Sequence, residues 1–147
     1  MLSNILVING PNLNLLGTRE PEVYGKETLS DIQKSLEKIA KSKNITIDFV
    51  QSNAEHEIID CIQSAKNNSI EFIIINPGPL THTSIALRDT FLSTQIPFIE
   101  IHISNIFKRE DFSKKSYLSD ISSGVIAGLG TDGYQYALLR AIKLIEN

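Results

Sequence analysis

The chain is poor in the residues that staple or decorate small folds. It has one cysteine, Cys61, and no tryptophan. A lone cysteine excludes an internal disulfide framework and fits a reducing compartment. The histidines are three, His56, His82 and His102, scattered without metal-ligand spacing. No apolar run approaches the ~20 residues that span a bilayer. The first residues, Met1-Leu2-Ser3-Asn4, lack the positive region and cleavage site of a signal peptide. A cytoplasmic protein with no membrane partner is therefore expected. Charge of one sign is also scarce: the net charge is -3, which argues against nucleic acid as a partner. No lysine lies inside an apolar run, so Schiff-base chemistry on a desolvated amine is not expected. There is no linker, repeat or low-complexity tract.

What the chain has is core-forming sequence, with 41% hydrophobic residues in 147. A length of this order buries roughly 68–70% of the unfolded surface, so a single domain over 1–147 is expected. Short, mostly apolar runs predict strands at Ile5–Asn9, Ile45–Val50, Phe72–Asn76, Phe98–His102 and Gly124–Ala127. Between them, helical periodicity predicts helices over Leu29–Lys43, Ala54–Asn67, Ser84–Thr94 and Gly133–Ile145. Thr28 is the expected N-cap of the first helix and Asn53 of the second. Strand and helix alternating in this way predict an α/β fold, a three-layer flavodoxin-like domain with a five-stranded parallel sheet.

Open sheets of this kind bind ligands beyond the carboxyl ends of their strands. Three polar segments fall there. The first, Asn9 to Tyr24, is a long loop carrying Arg19 and Tyr24. A phenol has a pKa of ~10, and a nearby guanidinium favours its phenolate, a usable base. A surface tyrosine beside an exposed arginine is the alternative. The second, Asn76 to Thr83, contains His82; Asp89 lies seven residues on, two turns along the same expected helix. The two either bind hydroxyls together or are separate surface groups. The third holds Glu100 and His102, two apart on a strand and so on one face, followed by Ser104 and Asn105. A carboxylate beside an imidazole fixes its tautomer and makes it a general acid; a structural ion pair is the alternative. Asn9, Asn12, Asn76 and Gly78 supply donors for an oxyanion, or simply make turns. Gly128, Gly130 and Gly133 match the dinucleotide pattern, but no further strand completes a βαβ unit, so a tight strand-to-helix turn is expected. His56 is expected on a solvated face and Cys61 in the core.

Together these blocks resemble the type II 3-dehydroquinate dehydratases. The resemblance spans essentially the whole chain. Its strongest marks are Asn9 to Gly17, Arg19-Glu-Pro with Tyr24-Gly25, Asn76-Pro-Gly78 with Thr81 to Ser84, Glu100-Ile-His102-Ile-Ser104-Asn105, and Gly124-Val-Ile with Gly128-Leu-Gly130. It implies conversion of 3-dehydroquinate to 3-dehydroshikimate on the shikimate pathway to aromatic amino acids, with no metal or organic cofactor. It also implies a homo-oligomer, a dodecamer of four trimers. Carried residue by residue, Tyr24 is the base, Arg19 lowers its pKa and Arg109 helps. Asn12 with a water stabilises an enolate, and His102, oriented by Glu100, protonates the departing hydroxyl. Ile103 and Ser104 hold the substrate carboxylate, Asn76 and His82 the ring hydroxyls, and Asp89 reaches in from a neighbouring subunit. One position departs: the family's second arginine, four residues after Arg109, is Ser113 here, followed by Lys114 and Lys115. Either affinity is weaker or a lysine substitutes, and a lysine lacks the guanidinium fork. Two rivals follow from the same residues: a non-catalytic module binding a polyhydroxy acid, favoured by Ser113, and a nucleotide-binding domain resting on Gly128–Gly133.

Overall fold

β-branched runs that bury both faces set the centre of the molecule. The computed structural model describes residues 3–146, with the side chains of Ser3, Val23 and Tyr24 outside the description. Its strands are β1 (Ser3–Asn9), β2 (Ile45–Gln51), β3 (Phe72–Asn76), β4 (Phe98–His102) and β5 (Gly124–Ala127). They form one parallel sheet in the order β2-β1-β3-β4-β5. The helices are α1 (Pro21–Tyr24), α2 (Leu29–Ser42), α3 (Glu55–Asn67), α4 (Ile85–Thr94) and α5 (Asp132–Glu146). This is the three-layer, flavodoxin-like arrangement expected from the sequence.

Alternate residues of the central strands feed two cores. Ile5 and Val7 of β1 and Ile74 of β3 pack with Leu36 of α2 and Leu138 of α5. Leu6, Ile8, Ile73 and Ile75 face the other way, against Ile58 and Ile62 of α3 and Leu87 of α4. Every residue of β3 and β4 is buried. The edge strand β2 differs from the expectation of a continuous apolar run. Thr46 and Asp48 point to solvent, because an edge strand has one face uncovered.

Helix starts show where local chemistry decided the boundary. Thr28 caps α2 as expected, accepting from Asp31 N while Asp31 accepts from Thr28 N, a reciprocal capping box. Asn53 does not cap α3. Ala54 holds that position with no side-chain bond, because the Asn53 oxygen is taken by the loop after β1. Nor are His82 and Asp89 on one helix. His82 ends a 3-10 turn, Gly78–His82, and α4 begins after Ser84, whose hydroxyl accepts from Leu87 N. The Gly128–Gly133 segment is the tight β5–α5 turn expected. Its amides at Gly128 and Gly130 donate to the carbonyls of His102 and Ile103, so they are not free to cradle a phosphate. No described helix is long and apolar enough to cross a membrane.

Candidate active site

Parallel strands all end on one side, and the strand order places the ends of β1, β3 and β4 next to one another. Their loops enclose a cavity of about 290 Å³. Two glycines let the first two loops meet. Gly10 has the Pro77 carbonyl where a side chain would begin, 2.4 Å from an ideal Cβ, and its amide donates to Asn76 O at 2.8 Å. Gly78 sits at φ +58, a backbone conformation that other residues rarely adopt.

The cavity gathers most residues singled out in the sequence. Asn12 and Arg19 come from the loop after β1, Asn76 and His82 from the end of β3 and its turn. His102, Ile103, Ser104 and Arg109 come from the end of β4 and the loop beyond. Two of the expected residues do not line this cavity. Glu100 lies buried behind His102. Asp89 is exposed on α4, away from the cavity. Tyr24 ends α1, which follows Arg19, but its side chain lies outside the described residues.

The Glu100–His102 pair is as the strand period implies. Both side chains are buried, and His102 Nε2 lies 2.5 Å from Glu100 Oε2. Burial alone would raise the Glu100 carboxyl. Hydrogen bonds from His102, Ser119 and Thr81, with the imidazolium charge, outweigh it and hold the group below its ordinary value of 4.5. Since that bond occupies Nε2, Nδ1 is the ring nitrogen left for the cavity that His102 lines.

The remaining wall residues are held by neighbours that the sequence reading passed over. Asn12 adopts a left-handed backbone, and its amide donates to Asn53 Oδ1 at 2.9 Å. Asn53 also accepts from Gln51, so it pins the loop after β1 to the end of β2. Asn76 Nδ2 donates to Tyr134 OH at 3.0 Å, and that hydroxyl donates to Asn9 Oδ1 at 2.5 Å. The bond fixes which way the Asn76 amide faces. Burial drives the Tyr134 phenol far above its ordinary value, so it stays protonated and donates. Tyr134 sits well over a hundred residues from Asn9, and no spacing rule connects them. Arg109 Nη2 donates to Ser104 Oγ.

Ser113 lines the cavity and is buried, with the exposed ring of Phe112 beside it. Neither following lysine takes up its place in the wall. Lys114 Nζ pairs with Asp111 at 3.3 Å, and Lys115 Nζ lies 4.6 Å over the Tyr117 ring. Cys61 packs on the α3–α4 core, where burial raises its thiol, and His56 is exposed.

Comparison with known proteins bears on this site. The family model described as dehydroquinase class II matches residues 3–142. The chain is 57% identical over 143 residues to a 3-dehydroquinate dehydratase of Idiomarina loihiensis, covering 97% of this chain and 94% of that one. It is 64% identical over 135 residues to a 3-dehydroquinate dehydratase of Buchnera aphidicola, covering 92% and 89%. Among solved structures, a type II dehydroquinase from Butyrivibrio crossotus matches with a TM-score of 0.91 and 44% identity over 99% of each chain.

Proposed function

The chain belongs to the class II dehydroquinase family, and on that premise we propose that it is a single-domain lyase converting 3-dehydroquinate to 3-dehydroshikimate and water. The observation that carries the reading is the convergence of Asn12, Arg19, Asn76, His82, His102 and Ser104, from three separate loops, on one small cavity. Its volume is near the lower end for small-molecule sites, roughly 300 Å³, which suits a single polar ring.

In this reading Tyr24, as phenolate, takes the proton alpha to the ketone. The electron pair of the broken C–H bond moves into an enolate, which Asn12 and a water held by it stabilise. The enolate then re-forms the ketone, a C=C bond forms, and the C–O bond to the hydroxyl breaks. His102 gives that hydroxyl its proton, so it leaves as water. Transfer of a proton from Tyr24 back to His102, through solvent, restores both groups. No cofactor takes part, because the substrate's own ketone holds the charge. Arg19 and Arg109 supply positive charge to the phenolate and the substrate carboxylate. Ile103 and Ser104 bind that carboxylate, and Asn76 and His82 orient the ring hydroxyls. The expected place of action is the cytoplasm, in the shikimate pathway.

The proposed assembly is a dodecamer of four trimers in which Asp89 completes a neighbour's site. Its support here is that Asp89 is exposed and outside its own cavity, on a helix that also exposes Ile85 and Leu92.

The test is direct. Purified protein is mixed with 3-dehydroquinate, and the ultraviolet absorbance of the conjugated enone is followed. Rapid growth of the signal supports the reading. A flat trace from a folded oligomer that still binds the compound transfers the argument to the binding module, with Ser113 as the first residue to change.

A further inference from the structure

Glu100 has no accessible surface, yet four groups converge on its two oxygens. His102 Nε2 lies 2.5 Å and Thr81 Oγ1 2.6 Å from Oε2. Ser119 Oγ lies 2.6 Å from Oε1, and Ser116 Oγ lies 3.0 Å from each oxygen. The direction of the Ser116 hydroxyl is set by its own backbone. Its oxygen accepts from Leu118 N at 3.0 Å and Ser119 N at 3.1 Å, which uses both lone pairs. Its proton is left for Glu100 and for Thr81 Oγ1, which lies 2.8 Å away and itself donates to Glu100. A carboxylate offers about four acceptor positions, so this one is filled by donors on every side.

Ser116 and Ser119 belong to one short peptide that packs against Glu100 of β4, and the same peptide reaches the second imidazole of the cavity. The Lys115 carbonyl lies 2.6 Å from His82 Nδ1. A carbonyl only accepts, so Nδ1 carries the proton and the neutral ring keeps Nε2 as an acceptor. The peptide is anchored apart from the site. Tyr117 N donates to Thr81 O at 2.8 Å, Arg88 Nη1 of α4 donates to Tyr117 O at 2.9 Å, and Arg88 pairs with Asp120.

We propose that Lys115–Ser119 is a positioning strap for both imidazoles. With Thr81, its serines hold Glu100 as an acceptor-only carboxylate, so that His102 keeps a proton on Nε2 and meets the ligand through Nδ1. Its Lys115 carbonyl holds His82 in the opposite tautomer, as an acceptor for a ligand hydroxyl. The catalytic consequence rests on the dehydratase reading; the geometry does not. An ionised Glu100 favours the imidazolium that delivers the proton to the departing hydroxyl. When a hydroxyl donor is removed, the shared proton moves toward Glu100 and His102 becomes the weaker acid reservoir. The charged and titratable groups facing this pair are His82, stacked on His102 at 6.4 Å, and the cavity arginines Arg19 and Arg109.

The experiment uses the full chain with Ser119→Ala, Thr81→Val and, to return the hydroxyl, Ser119→Thr. Nitrogen NMR of the histidine rings, taken without substrate, reads both tautomers and the His102 titration midpoint. The expected result is a fall in that midpoint in either hydroxyl-deleting variant, because Glu100 holds its proton more readily and stabilises the imidazolium less. Turnover falls roughly tenfold while KM stays within about twofold, and Ser119→Thr restores it. Thermal melts establish that each variant is folded, and whichever of the two deletions folds carries the result. An unchanged His102 midpoint in a folded variant overturns the strap, whatever happens to turnover. If the unaltered protein shows no turnover, the dehydratase reading fails, while the ring titration still decides the strap.

Discussion

At the scale of single residues, the site divides roles between groups that meet the ligand and groups that aim them. In the proposed mechanism His102 and Tyr24 are the pair that moves protons, and a positioned acid or base contributes roughly 10²- to 10⁴-fold. Tyr24→Phe and His102→Ala are each expected to lower kcat by at least about 10²-fold. The far-ultraviolet circular dichroism of both variants should match that of the parent. Near-normal turnover in one of them removes that residue from its role. That Asn12, Arg19, Asn76, His82 and His102 share one cavity wall follows from polar positions at the ends of apolar strands, which are conspicuous in the sequence. Glu100 and His102 stand out since two ionisable groups on an otherwise apolar strand need partners. The aiming groups were not legible. Asn53 looked like a helix cap, and its side chain instead holds Asn12. Tyr134 lies within the expected helix after β5 with no signal of its own in the sequence, yet its hydroxyl links Asn9 to Asn76. Such bonds join residues far apart in the chain, where periodicity carries no information.

At the scale of elements, the boundaries follow local chemistry where the backbone is free to use it. The α2 cap forms from Thr28 and Asp31 because both lie in exposed, unclaimed chain. Thr28→Ala is expected to cost about 1 kcal/mol, read from the urea midpoint. The opposite change at α3 gives a complementary result. Ala54 sits in extended geometry at the cap position with no side-chain acceptor, so Ala54→Asp should stabilise by about 0.5–1 kcal/mol. A null or negative change there would mean that repulsion from Glu55 and Glu57, already in the first turn, offsets the new cap. The central strands were legible to within two residues because burial on both faces demands apolar, largely β-branched runs, and the edge strands because β-branched positions still recur where one face is open. The loop after β1 was legible only as a loop. Its short 3-10 turn at Leu13–Leu15 and the helix α1 arise from local turns packed against neighbouring loops.

At the scale of the whole molecule, the buried carboxylate couples the site to global stability. Glu100 binds its proton less readily when folded than when unfolded. Between those two affinities the unfolded chain carries more protons, so stability rises with pH. The contribution is therefore complete above the ordinary value of 4.5 and is lost as the pH falls through the lower folded value. Urea midpoints across about pH 3 to 7 should show that slope, and Glu100→Gln should flatten it. An unaltered slope in the variant would assign the acid sensitivity to other carboxylates. The same scale separates what each level of structure decides. The sequence by itself determined the layers, the strands and the loops that bear the chemistry, because hydrophobic period and chain breaks act over a few neighbouring residues. Tertiary structure alone decided which residues of the three loops line the cavity. It also decided that hydroxyls from Thr81, Ser116 and Ser119 meet on Glu100. Those outcomes depend on strand order and on hydrogen bonds between distant segments, which form only once the sheet has brought the segments together.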